Sequence, residues 1–95
     1  MFPTELDGAD VLYYTPRGDY GAIKHPDGNV ADYYHYLAIC KYPKDDNYYL
    51  FCCNENYEVV SDWMAGSIED CKKSAALSYK EAVIWKEVAK RCTDR

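Results

Sequence analysis

The hydrophobic and polar positions divide the chain into an alternating front and a helical segment near its end. Val11-Leu12-Tyr13-Tyr14, closed by Pro16, predicts a short strand over Asp10–Thr15. Pro16-Arg17-Gly18-Asp19 reads as a turn, and Tyr20–Lys24 fits a second short strand. His25-Pro26-Asp27-Gly28-Asn29 is the strongest turn signal, because proline presets φ and glycine admits positive φ. Tyr33–Tyr42 predicts one long strand. Its period of two places Tyr34, Tyr36, Ala38, Cys40 and Tyr42 on one face and Tyr33, His35, Leu37, Ile39 and Lys41 on the other. Pro43–Asn47 is a polar loop of hairpin length, and the apolar run Tyr48–Cys53 suits a central strand. After Asn54-Glu55-Asn56, Tyr57–Trp63 completes an antiparallel meander, with Tyr57, Val59, Ser61 and Trp63 sharing a face.

Ser67 then opens a helix. Its hydroxyl can accept from an early backbone N–H, and Glu69 and Asp70 suit the positive helix start. Ile68, Cys71, Ala75, Ala76, Tyr79 and Ala82 form one apolar stripe to pack on the sheet, while Leu77 points away. The apolar phase breaks around Ala82–Ile84. Alternation in Ile84–Ala89 then favours a short closing strand, with one continuous helix as the alternative. The expected architecture is a single small α+β domain over residues 1–95. Three to five antiparallel strands are packed by one helix near the C-terminus.

Composition narrows the function classes. The net charge of −5 is uneven, with 13 acids and 4 bases in residues 1–71 against 3 and 7 in residues 72–95. A nucleic-acid binder needs a basic patch, and an acidic body repels phosphate, so a basic protein partner fits better. No apolar run approaches membrane-spanning length. The acidic start, with Glu5, Asp7 and Asp10, is not a secretory signal. That start and an odd count of five cysteines predict reduced thiols and a cytoplasmic location.

The residues Tyr49-Leu50-Phe51, Asn54-Glu55-Asn56, Val59-Val60-Ser61-Asp62, Ser67-Ile68-Glu69-Asp70 and Trp85-Lys86-Glu87-Val88 carry a resemblance. In order and spacing they resemble a group of short bacterial proteins with a hairpin, a serine-capped helix and a terminal tryptophan segment. The match spans roughly residues 47–88 and contains no catalytic signature. Size and charge are more loosely similar to immunity proteins of bacterial toxin systems. Cys52-Cys53 and the spacer Lys80–Val83 depart from the group's pattern. What the resemblance implies is a fold, and through immunity proteins a protein-binding role.

The chemistry-bearing residues form no familiar constellation. Cys40, Cys52, Cys53, His25 and His35 lack metal-ligand spacing, and adjacent Cys52 and Cys53 point to opposite faces of a regular strand. His35 and Cys40 differ by five positions, which separates a base from a thiol. The expectation is therefore no enzyme, no metal and no cofactor. Eleven tyrosines are the distinctive feature. A single helix covers one sheet face, leaving rings on the other, where aromatics favour interfaces. The candidate partner-binding residues are Tyr33, Tyr34, Tyr36, Tyr42, Tyr48, Tyr49 and Tyr57, with Asp45 and Asp46 at the rim. A protein-binding module, of the kind that neutralises a basic toxin, is the first reading. A homo-oligomeric structural protein and a small ligand-binding protein are the alternatives.

Overall fold

A computed structural model describes residues 2–79 and 83–88. The elements in chain order are β1 (Glu5–Leu6), β2 (Ala9–Tyr14), β3 (Gly21–Lys24), β4 (Val30–Tyr34) and β5 (Tyr36–Lys41). They continue with β6 (Tyr48–Cys53), β7 (Val59–Ala65), α1 (Ile68–Ser78) and β8 (Lys86–Glu87). The main sheet runs β1-β2-β5-β6-β7, with β8 also on β2, and β3-β4 form a separate two-stranded ribbon. Every pairing is antiparallel. The α+β class and the meander β5-β6-β7 agree with the sequence pattern.

Local chemistry explains the joints. Leu6 and Ala9 pair around Asp7-Gly8, both at positive φ (49° and 85°), the two-residue turn whose twist matches the flanking strands. The ribbon β3-β4 extends the β2-β5 ladder past β6. Thr15 N–H donates to the Leu37 carbonyl (3.0 Å), Gly18 N–H to His35 (2.9 Å) and Tyr20 N–H to Tyr34 (3.0 Å). Tyr20 is buried against Gly18, where a Cβ would stand 2.8 Å from its ring. The ring fits there because residue 18 has no side chain.

Two strand assignments from the sequence need correction. Tyr33–Tyr42 is not one strand but β4 and β5, broken at His35. His35 N–H donates to the Cys53 carbonyl (2.8 Å), and its ring Nδ1–H donates to the Gly18 carbonyl (2.9 Å). The break shifts the side-chain phase, so Tyr34 joins the helix side while Tyr36 stays on the opposite face. Likewise Tyr57, Val59, Ser61 and Trp63 do not share a face. The register slips between Cys52 and Cys53, which sends Val59 to one side and Ser61 and Trp63, opposite Cys52 and Leu50, to the other.

The helix starts as its sequence implies. Ser67 Oγ accepts from Asp70 N–H (3.1 Å). It ends at Ser78, with Tyr79 as cap. Cys71 and Ala75 are buried, Leu77 is 88% exposed, and Ala76 is exposed rather than part of the buried stripe. Ala82 and Ala89 lie outside the described residues. Within them, Lys86–Glu87 pairs with Tyr13–Tyr14 as the short closing strand.

Both sheet faces are buried in their centre. On the helix side Leu37, Ile39, Leu50 and Cys52 pack with Tyr20, Cys71 and Ala75. On the other side Ala38, Cys40, Phe51 and Cys53 pack with Phe2, Leu6, Ala9 and Val11. Full burial of one such large apolar side chain stabilises the fold by about 1.5–3 kcal/mol.

Candidate functional site

The face opposite α1 is paved with aromatic rings. Phe2 is its keystone: it stacks on Tyr14 with ring centroids 4.8 Å apart and meets Tyr36 and Tyr57 edge-on at 5.6 and 5.3 Å. Tyr36 and Tyr57 lie 4.8 Å apart, and Tyr42 meets Tyr49 at 5.3 Å. These rings leave Ala38, Cys40 and Cys53 fully buried beneath them, while Tyr36, Tyr42, Tyr49 and Tyr57 remain half-buried themselves. The face therefore combines apolar area with hydroxyl tips, a surface chemistry suited to protein contacts.

The rim is acidic and ordered. Tyr49 Oη–H donates to Asp45 Oδ2 (2.7 Å), and Asn47 N–H donates to Asp45 Oδ1 (2.9 Å). The Tyr49 bond, then the Asn47 backbone N–H, hold the Asp45 carboxyl below its ordinary range. The same bond to Asp45 pushes the Tyr49 phenol up. Tyr36 is also pushed up, first by its hydrogen bond with Tyr57. Asp46 is exposed beside this pair.

A second acidic cluster is built by Asn54, which is only 6% exposed. Its Nδ2 donates to Asp32 Oδ2 (2.9 Å) and Glu58 Oε1 (2.8 Å), while Oδ1 accepts from the N–H groups of Asn56 (2.9 Å) and Glu58 (3.0 Å). The amide thereby holds Tyr57 at a φ of 63°, a left-handed conformation costly for a side chain of this size, and aims its ring at Phe2. The Asn54 bond and the Tyr33 N–H hold Asp32 below its ordinary range. Glu55 pairs at the surface with Arg17 (3.7 Å).

The residues singled out from the sequence thus separate into groups. Tyr36, Tyr42, Tyr49, Tyr57 and Asp45 converge on the aromatic face, with Asp46 in the adjoining loop. Tyr34 and Tyr48 pack on the helix side. Tyr33 stands 50% exposed on the projecting ribbon, beside His35. Phe2 and Asn54 are the pieces the pattern misses: Phe2 belongs to no periodic segment, and Asn54 looks like an ordinary turn residue.

The four described thiols lie inside the fold. Cys40, Cys52, Cys53 and Cys71 are free and buried. Burial pushes Cys53 up to about 12 and Cys71 to about 11 and also raises Cys40 and Cys52, so all four are protonated at neutral pH. Cys52 Sγ lies 2.9 Å from Tyr79 Oη, and burial, followed by this contact, raises the Tyr79 phenol. Among the described residues no cluster of three His, Cys, Asp or Glu side chains could hold a metal ion. No described helix is long and apolar enough to cross a membrane.

Compared with protein-family models, curated proteins and solved structures, the chain matches none.

Proposed function

We propose that this domain is a protein-binding module that engages a basic partner through its aromatic, acid-rimmed sheet face. The observation that carries the reading is two groups of half-buried rings on one sheet face, Tyr36 and Tyr57 around Phe2, and Tyr42 with Tyr49 bordered by Asp45. Rings held by one another lose little conformational freedom on binding, which suits them to be anchors. Carboxylates with lowered pKa stay charged through neutral pH and steer a basic partner toward them. A neutraliser of a basic toxin is the biological form most consistent with small size, acidic charge and a fixed binding face. Four free thiols fit a reducing compartment such as the cytoplasm.

The test is capture from native lysate with the wild-type domain and with Tyr42→Ala and Tyr49→Ala variants shown by circular dichroism to be folded. A partner retained by the wild type and lost by the variants is expected. Charge reversal at Asp45 and Asp46 should slow its association and flatten the salt dependence. Recovery of no partner, or of one indifferent to both tyrosines, would refute the reading.

A further inference from the structure

We infer that the outer edge of β7 is a strand-addition site that takes an extended segment of a partner, with a basic side chain opposite Asp62 and an apolar one opposite Trp63. This rests on the protein-binding reading above and gives that reading a mode of engagement.

The β2 edge is covered at both ends. Leu6 and Glu5 pair with Ala9 and Asp10, while Glu87 and Lys86 pair with Tyr13 and Tyr14. The β7 edge has no pairing strand among the described residues. Edge strands are ordinarily blunted by lysine, proline or an irregular backbone. β7 carries an irregularity at Val60 and one charge, Asp62, but from Ser61 to Ala65 it has no lysine, no proline and an unbroken register against β6.

The pairing also shows which backbone groups face out. Thr15 N–H donates to the Leu37 carbonyl, and Leu37 N–H donates to Thr15 Oγ1, so Leu37 turns its backbone toward β2. Alternation then turns Ala38 toward β6, its partner Phe51 toward β5, and Leu50 and Cys52 toward β7. Leu50 and Cys52 meet Trp63 and Ser61. The N–H and C=O groups of Asp62 and Met64 are left pointing outward.

The side chains at this edge are open on both faces. Trp63 and Met64 are each 61% exposed. Met64 lies opposite Tyr49 and so continues the aromatic face, whereas Trp63 lies opposite Leu50 on the helix side. An added strand sets alternate residues beside Asp62 and Met64 on one face and beside Trp63 on the other. A lysine satisfies the first pair, its stem on Met64 and its ammonium near Asp62.

A second copy of this chain fits poorly. β7 contains no base, so self-pairing gives Asp62 no counter-charge in any register, and each copy brings a charge of −5. The occupant is therefore a basic, apolar-alternating segment of another protein.

The probe is a short fluorescein-labelled peptide of alternating lysine and valine, read by anisotropy against the full chain. It should bind at least about tenfold more tightly than a glutamate–valine counterpart. N-methylation of consecutive central amides keeps its charge and side chains but removes its donors, and should abolish binding. Met64→Pro removes one outward N–H without touching the β6 ladder. It should weaken binding about tenfold or more, while Met64→Ala retains most of it. Binding indifferent to N-methylation, or equal for Met64→Pro and Met64→Ala, would show diffuse attraction to an acidic surface and overturn the proposal. So would a wild-type dimer by sedimentation that Met64→Pro dissolves, since the second copy would then own the edge. A captured partner sensitive to Tyr42 and Tyr49 but not to Met64→Pro would remove the edge and leave the aromatic face standing.

Discussion

Substituting Asn54 separates its role as an acceptor from its role as a donor. Asn54→Ala strips the acceptor from the Asn56 and Glu58 N–H groups, bonds of 2.9 and 3.0 Å at a residue only 6% exposed. Each such bond is worth about 1 kcal/mol net. The bonds to Asp32 and Glu58 add less, because water reaches those carboxylates. The expected cost is about 2–3 kcal/mol, or a fall in melting temperature of roughly 8–24 °C for a domain of this size. Asn54→Asp keeps the acceptor but aims a second negative oxygen at Asp32 and Glu58. Its deficit at pH 7 should exceed that of Asn54→Ala. In the wild type the lowered Asp32 pKa favours the native state above the ordinary carboxylate value and is lost as pH falls through the folded value. Protonation near pH 4 also relieves the repulsion in Asn54→Asp, so the two stabilities converge in acid. Urea unfolding followed by circular dichroism at pH 7 and pH 4 reads both effects. An Asn54→Asp variant as stable as the wild type at pH 7, or with a deficit unchanged by acid, would refute the reasoning.

Two further outcomes follow from the same geometry. With Cys71 at about 11, the thiolate fraction at pH 8 is about one in a thousand, and lower still at Cys53. Alkylation mapped by mass spectrometry should leave Cys40, Cys52, Cys53 and Cys71 unmodified in the native protein and label all four in urea. The raised Tyr49 phenol contributes stability below its ordinary pKa, lost as pH rises through the folded value, while lowered Asp45 contributes above its ordinary value and loses it in acid. Asp45→Asn should therefore lower the Tyr49 titration seen by ultraviolet difference spectra and shift the acid limb of the stability curve. Identical titrations would mean the 2.7 Å bond is not maintained in solution.

Periodicity made the central strands and the helix legible, because Tyr48–Cys53 and the stripe containing Cys71 and Ala75 each have one dominant burial pattern. It failed where backbone geometry interrupts the period. His35 and the slip at Cys53 are bonded into place by tertiary hydrogen bonds and leave no signature in the alternation. The Asp7-Gly8 turn is readable in principle, but its flanking strand Glu5–Leu6 is too short to alternate. The aromatic face was readable in content and not in membership. Which tyrosines share it depends on those two phase shifts, and its keystone Phe2 is placed by the first hairpin.

The pairing of β8 with β2 has a consequence for how the chain is made. Tyr13 and Glu87 are 74 positions apart, so this part of the β2 edge stays bare until Lys86 and Glu87 have been synthesised. At ordinary rates of about 5–20 residues per second, that interval is roughly 4–15 s. Pairings of such long sequence separation also form late in folding. Until then a nascent chain leaves this stretch of β2 unpaired in addition to the outer side of β7, which has no pairing strand among the described residues. Such an unpaired stretch is a template for another chain, so the β2 edge needs shielding while the chain is being made.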